Sequence, residues 1–378
     1  MCFEGEKVNK VLPFTEQRKL IGTPKEWSFL YAYNLRTVRD VFVYCNLKKK
    51  ISSKQLYLDL AANKVHPPKD YWIRRGKKRQ ERLRLEYIHA AEYLGLIKQT
   101  KSEVTSDFSF QKKEKELIVE QNETREFNGS EGASPPFSEQ ERKAFRSIIS
   151  RFQRARDYLY WFLDFSKFED SMSFSIEEFT SISEPIFVLS GNNSGLKGSD
   201  LILRCIDREL WSIPSNKPND YIRLASYVFP SWFKDLGLID EVIVFPELSK
   251  VILPEITSAI SPLIGKRGRW CIYFYPIRMS SNEFKKVDLA NYLRNKFLKT
   301  RSFISVPVPE VVYSIANDFR CPVNVIHQRL ALLFKEDFTH FYLDRASLNT
   351  LDRSRFRAYE KSFIRVDGFY RSHLKISK

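Results

Sequence analysis

One short string occurs twice in this chain, as Leu94-Gly95-Leu96-Ile97 and again as Leu236-Gly237-Leu238-Ile239. In each place a helix-favouring stretch precedes it and a strand-favouring stretch follows. A glycine in that setting takes the left-handed conformation that ends a helix, and the next leucine folds back onto the last turn. The chain then leaves as a strand, so the fold must accommodate the same helix-to-strand corner at two positions.

Upstream of the first corner the sequence supplies two further helices. Val38, Val41, Phe42 and Cys45 form one apolar face, and Ser52 or Ser53 can cap a helix that carries Leu56, Leu60 and Ala61 before Asn63. A third helix, from about Lys77 to Leu94, carries Leu85, Ile88, Ala91 and Leu94. Over residues 35 to 100 this order of elements resembles the winged helix-turn-helix superfamily of DNA-binding modules. The resemblance implies that the third helix lies in a major groove, where guanidinium forks pair with guanine edges and ammonium groups neutralise phosphates.

Charge falls where that reading needs it. Arg74, Arg75, Lys77, Lys78, Arg79, Arg82 and Arg84 crowd the approach to the third helix and its first turns. Like charges this close repel one another unless a polyanion relieves them. The competing reading is a solvated basic face on a surface helix. On the scale of the chain, the net charge of +16 is uneven: residues 1–100 hold 21 Lys and Arg against 10 Asp and Glu, residues 341–378 hold 9 against 4, and the remainder is balanced at 32 of each. Two basic ends around a neutral body predict two surfaces that meet a polyanion, nucleic acid first, and the winged-helix resemblance implies DNA over RNA. A membrane surface would require a long apolar span or a basic amphipathic helix, and the sequence offers neither.

The C-terminal end predicts another such unit, from about Val306 to Lys378. Pro309 opens a helix to Phe319, Asn324 caps another through Leu333, and Phe341-Tyr342-Leu343 form a strand. A hairpin follows, with Asp367-Gly368 as the tight turn between Ser362–Val366 and Phe369–Ile376. Arg353, Arg355, Arg357 and Lys361 precede it, and Arg365 and Arg371 lie on its strands. This is either a basic wing against phosphate or a stabilising sheet with exposed arginines.

Between the ends, residues 101–137 read as a flexible linker, being polar and closing with Ser134-Pro135-Pro136. Ser138-Glu139-Gln140-Glu141 is a capping box that opens a helix, and Phe145, Ile148, Ile149, Phe152, Leu159 and Phe162 put an apolar stripe on it. A second loop is expected over Ser190–Ser199, a strand over Arg269–Tyr275, and a capped helix from Ser280 to about Leu298. The segment Gly198–Pro246 holds the second corner but lacks a basic cluster, which suits protein contact better than DNA.

The expected fold class is mainly α with short β-hairpins, as tandem winged-helix-like domains joined by helical segments. The expected division is a basic winged-helix-like domain at 1–100, a linker at 101–137, a helical segment at 138–190, a central winged-helix-like or α+β domain at 191–302, and a C-terminal winged-helix-like domain at 303–378.

Catalytic and cofactor chemistry is not written in the chain. Gly265-Lys266 is followed by Arg267 and lacks the upstream glycine of a phosphate-binding loop, and no dinucleotide or zinc-protease motif occurs. The histidines (His66, His89, His327, His340, His373) are scattered, and the cysteines (Cys2, Cys45, Cys205, Cys271, Cys321) are odd in number and far apart. No metal and no cofactor is expected, and the thiols fit a reducing compartment, the cytoplasm or nucleoid, with no export leader at the N-terminus. Asp240 and Glu241, followed by Glu247 and Lys250, loosely echo a metal-dependent nuclease, but their spacing departs from that pattern. The reading is a non-enzymatic DNA-binding protein whose neutral middle meets protein partners, as in a targeting or scaffold subunit of a defence, mobile-element or replication system. A nuclease with a cryptic site and a protein-binding adaptor are the alternatives.

Overall fold

The first corner forms in a computed structural model that describes residues 32–61, 77–124, 127, 134–151, 185–189, 201–206, 209–212, 228–244, 271–345 and 363–378. Helix α1 (Leu35–Lys48) begins where the Asn34 side chain accepts from the Thr37 amide, and Val38, Val41, Phe42 and Cys45 are fully buried. Strand β1 (Ile51–Ser52) leads into α2 (Ser53–Ala61), which Ser52 caps by accepting from the Gln55 amide at 3.0 Å. Helix α3 (Lys77–Tyr93) stops at Gly95, whose φ is +60°. There the Leu96 amide donates to Ala91 O and the Gly95 amide to Glu92 O, the pair of bonds that closes a helix at a left-handed residue. Strands β2 (Ile97–Gln99) and β3 (Glu103–Ser106) form a hairpin, and β1 joins the far side of β3, so the sheet order is β1-β3-β2.

Of the expected third-helix face, Ile88, Ala91 and Leu94 are buried while Leu85 is 43% exposed, since Tyr87 and Ala90 turn inward beside them. Asn63 lies outside the described residues.

The expectation of a linker at 101–137 is corrected. That stretch contributes β3, with Val104 buried, and helix α4 (Lys112–Glu120), with Ile118 buried. Lys115 is fully buried and donates to Gly95 O at 2.6 Å and Asp107 O at 2.7 Å, while resting 3.8 Å from the Phe110 ring centroid. Polar composition does not mark a linker here, because Gln111, Lys115, Asn122 and Ser134 make internal hydrogen bonds. Helix α5 (Glu139–Ser150) opens with the expected capping box, and Phe145, Ile148 and Ile149 are buried. Phe152, Leu159 and Phe162 lie outside the described residues, as does Ser190–Ser199.

The central section forms one five-stranded antiparallel sheet. Its strands are β4 (Ile186–Leu189), β5 (Leu201–Ile206), β6 (Glu209–Ser212), β7 (Ile239–Val244) and β8 (Cys271–Pro276), in the order β6-β5-β4-β8-β7. Helix α6 (Phe229–Asp235) begins with Pro230 in its first turn, where a missing N–H costs nothing. It ends at Gly237, φ +68°, with Leu238 N bonded to Phe233 O and Gly237 N to Lys234 O. The two corners therefore close with the same bonds. Residues 191–302 take the α+β form, and their described parts do not contain the three-helix order of a winged helix.

The C-terminal unit opens with two short helices, α7 (Ser281–Lys285) behind the Ser280 capping box and α8 (Leu289–Leu293) behind Asp288, and with a π-helical turn at Arg294–Leu298. The single helix expected here is broken because Asp288 caps a fresh start. Strand β9 (Phe303–Pro307), α9 (Val308–Phe319), α10 (Val323–Glu336), β10 (Phe341–Arg345), β11 (Ile364–Val366) and β12 (Phe369–Ser377) follow. Helix α10 starts behind Pro322, not behind an Asn324 cap. Asp367 and Gly368 both have positive φ, 51° and 79°, as the tight β11–β12 turn requires. Strand β12 is central, with β10 along one edge and β11 then β9 along the other.

Two apolar cores result among the described residues, and they share a wall. Ile239 and Phe274 belong to the first core, built on α1 to α6, whereas Val242, Tyr273 and Tyr275 belong to the second, built on α7 to α10 and the β12 sheet. The register explains the division: Glu241 faces Phe274, while Asp240 faces Tyr275 and Val242 faces Tyr273, so alternate residues of β7 and β8 serve opposite sides. Residues expected in separate domains thus pack together. Trp232 of α6 is fully buried and donates its indole N–H to Ala32 O at 2.7 Å.

Candidate nucleic-acid interface

The two terminal units have similar wiring. Each runs helix, strand, helix, helix and then strands, two (β2, β3) in the first unit and three (β10, β11, β12) in the second, and in each the strand before the helix pair joins the last strand, β1 to β3 and β9 to β12. In the first unit α3 is the third helix. Its C-terminal half is held by Tyr87, Ile88, Ala90, Ala91 and Leu94 against the core, and Lys115 clamps the carbonyl of Gly95 at its exit. The N-terminal turns of α3, which carry Lys77, Lys78, Arg79, Arg82 and Arg84, extend ahead of that anchored half. By helical period, positions 78 and 82 share the stripe of Leu85 and Glu92, both exposed. The side chains of residues 77–84 and all of Arg74 and Arg75 lie outside the described parts.

In the second unit, Arg353, Arg355 and Arg357 lie outside the described residues. Arg365 is exposed and sits 5.8 Å from the centroid of the Tyr370 ring, its cross-strand neighbour. Arg371 is corrected as a site residue. It is only 6% exposed, donates to Leu343 O at 2.9 Å and lies 5.2 Å from the Phe334 ring, so its charge is spent inside the fold. Sequence reasoning missed Arg345, whose guanidinium lies 3.9 Å from the centroid of Phe369. The two are 24 positions apart, and only the pairing of β10 with β12, with its register shift at Asp344/Arg345, brings them together.

Four other described cations of this unit meet carboxylates. Lys335 pairs with Asp367 at 3.4 Å, Lys375 with Asp344 at 2.9 Å, Lys296 with Asp318 at 2.8 Å and Arg294 with Asp337 at 3.6 Å. Arg345 and Arg365 meet aromatic rings instead, and no carboxylate of the described residues pairs with them.

A cleft of about 820 Å³ opens along β7, lined by Arg142, Arg146, Lys234, Asp240, Glu241 and His327 among others. It contains the two described members of the loose nuclease pattern, but both are engaged. Lys234 Nζ lies 2.9 Å from Glu241 and 3.5 Å from Asp240, and Asp240 also accepts from the Val323 amide at 2.8 Å. Burial pushes the Asp240 carboxyl above the usual carboxylate range, and the Lys234 ammonium partly offsets it. Glu247 and Lys250 lie outside the described residues. Burial holds His327 down at about 4, so its imidazole is neutral at pH 7. Cys45 and Cys321 are buried free thiols, pushed up to about 12 by burial, and are unreactive in that state. Among the described residues no group of three His, Cys, Asp or Glu gathers where a metal could sit, and no helix is long and apolar enough to cross a membrane.

Comparison with known protein families, with curated proteins and with solved structures returned no match for this chain.

Proposed function

We propose that this protein binds double-stranded DNA without catalysing a reaction on it, through winged-helix-like units at its two ends. The observation that carries the reading is the position of α3. It is the third helix of a helix-strand-helix-helix-hairpin unit, anchored at its C-terminal half, with five cations in the turns ahead of the anchor. A helix held at its C-terminal half and rich in cations ahead of that half suits a duplex groove, because phosphates neutralise such charge and the helix diameter fits the groove. The similar wiring at the C-terminal end, with one further strand, supports reading a second such unit there. The two ends joined through a shared wall suit a targeting or scaffold subunit that holds duplex while its neutral middle meets protein partners.

The test is a gel-shift series over salt concentration with a labelled duplex. Affinity should fall steeply as salt rises, with a slope near −0.9 per phosphate neutralised. Replacing Arg79 and Arg82 together by Ala should weaken binding and flatten the slope by about 2. Absence of duplex binding at low salt would overturn the proposal.

A further inference from the structure

The geometry points to a second contact of a different kind: we infer that the β11–β12 hairpin, with Arg345 beside it, is a stacking platform for unpaired bases. This rests on the nucleic-acid reading above and adds a ligand class that it does not contain.

Phe369 directly follows the Asp367-Gly368 turn and is 47% exposed. A single exposed apolar ring is common on protein surfaces and carries no argument alone. Its partner does. The Arg345 guanidinium lies 3.9 Å from the ring centroid, closer than the other arginine–aromatic contacts of the C-terminal unit, and it has no carboxylate partner among the described residues. On the next rung, and therefore on the other face of the hairpin, Arg365 and Tyr370 stand opposite each other in register. The hairpin thus has an arginine–aromatic pair on each of its faces, Phe369 with Arg345 of β10 on one and Tyr370 with Arg365 on the other, whereas the neighbouring Lys335 and Lys375 pair with Asp367 and Asp344.

The platform is held in place from behind. Ile364 and Val366 are buried, and Arg371 locks β12 to Leu343 O. Little ordering remains to be done when a ligand arrives. Every nucleobase offers a flat face that an exposed ring can stack on, and the guanidinium groups that line such rings attract the adjoining phosphates. A duplex keeps its base faces against one another, so it can use the arginines but not the rings. Single-stranded nucleic acid can use both.

The experiment uses the full chain, a fluorescein-labelled single strand of thymidines, its uridine counterpart, and a blunt duplex. Phe369→Leu keeps apolar bulk and removes the aromatic face at a position too exposed to disturb the core, and its thermal midpoint should match that of the wild type. Single-strand affinity should fall roughly tenfold in Phe369→Leu with an unchanged salt slope, while duplex affinity stays as it was. Arg345→Gln should instead flatten the single-strand salt slope by about 0.7. A strand carrying 2-aminopurine should lose fluorescence on binding the wild type and keep it with Phe369→Leu. Loss of affinity in both the thymidine and uridine strands supports the platform, and a loss in one alone identifies the sugar it prefers. If Phe369→Leu holds single strand as tightly as the wild type, or if only duplex binds, the platform is wrong and the duplex reading stands. If neither form binds at low salt, both fall.

Discussion

Glu310 sits in the first turn of α9 at 6% exposure, and burial pushes its carboxyl from 4.5 up to about 7. The folded chain therefore holds this proton more tightly than the unfolded chain does. The resulting stability is complete below pH 4.5 and is lost as pH rises through about 7. His327 has the opposite sign. Burial lowers it from 6.5 to about 4, so its contribution is complete above pH 6.5 and is lost as pH falls towards about 4. The two oppose each other between these limits and flatten the wild-type profile. Glu310→Gln removes one of them, and should melt well above the wild type at about pH 8 but close to it at about pH 5. Equal shifts at the two pH values would refute the assignment. The same scale accounts for Arg39, which is 1% exposed. It is held by Asp40 at 3.0 Å, Glu141 at 3.1 Å and Pro135 O at 3.0 Å, so a basic residue of the first 100 faces inward and offers no charge to a ligand.

Helices α4 and α5 show how a polar segment becomes structure. Glu141 completes the capping box by accepting from the Ser138 amide through one oxygen, and through the other it accepts from Arg39 and from the Asn122 side chain. Ser134 donates to Asp40 in the same buried network. One carboxylate therefore joins the start of α5, the end of α4 and the first turns of α1. Replacing Glu141 by Ala removes a cap and leaves Arg39 and Asn122 under-satisfied in a buried site. The expected loss is about 3–5 kcal/mol, far more than the roughly 1 kcal/mol of an isolated cap. Urea unfolding of Glu141→Ala beside Ser138→Ala measures the difference, and similar losses in the two variants would count against the network. The capping box was legible from Ser138 and Glu141 alone. The ion pair with Arg39 was not, because its partners stand 102 positions apart.

At the scale of the molecule, the shared β7–β8 wall couples the two cores. Ile239 and Phe274 on one side, and Val242, Tyr273 and Tyr275 on the other, lose their partners together if either core opens. The regions that the structure describes should unfold as one cooperative unit. Denaturation followed by tryptophan fluorescence, with Trp232 reporting on the first core, should coincide with the loss of far-ultraviolet ellipticity. Two separated transitions would show that the wall does not couple them.

Local chemistry determined the elements of this protein. The repeated corner, the capping boxes at Ser138 and Ser280, the apolar face of α1 and the Asp367-Gly368 turn all depend on residues within a few positions of one another, and short-range sterics and hydrogen bonds suffice to specify them. Tertiary structure decided what those elements belong to. It placed α4 in a core, split β7 and β8 between two hydrophobic faces, buried Arg371 and set Arg345 against Phe369. Such outcomes depend on which distant surfaces exclude water together, and no window of neighbouring residues contains that information.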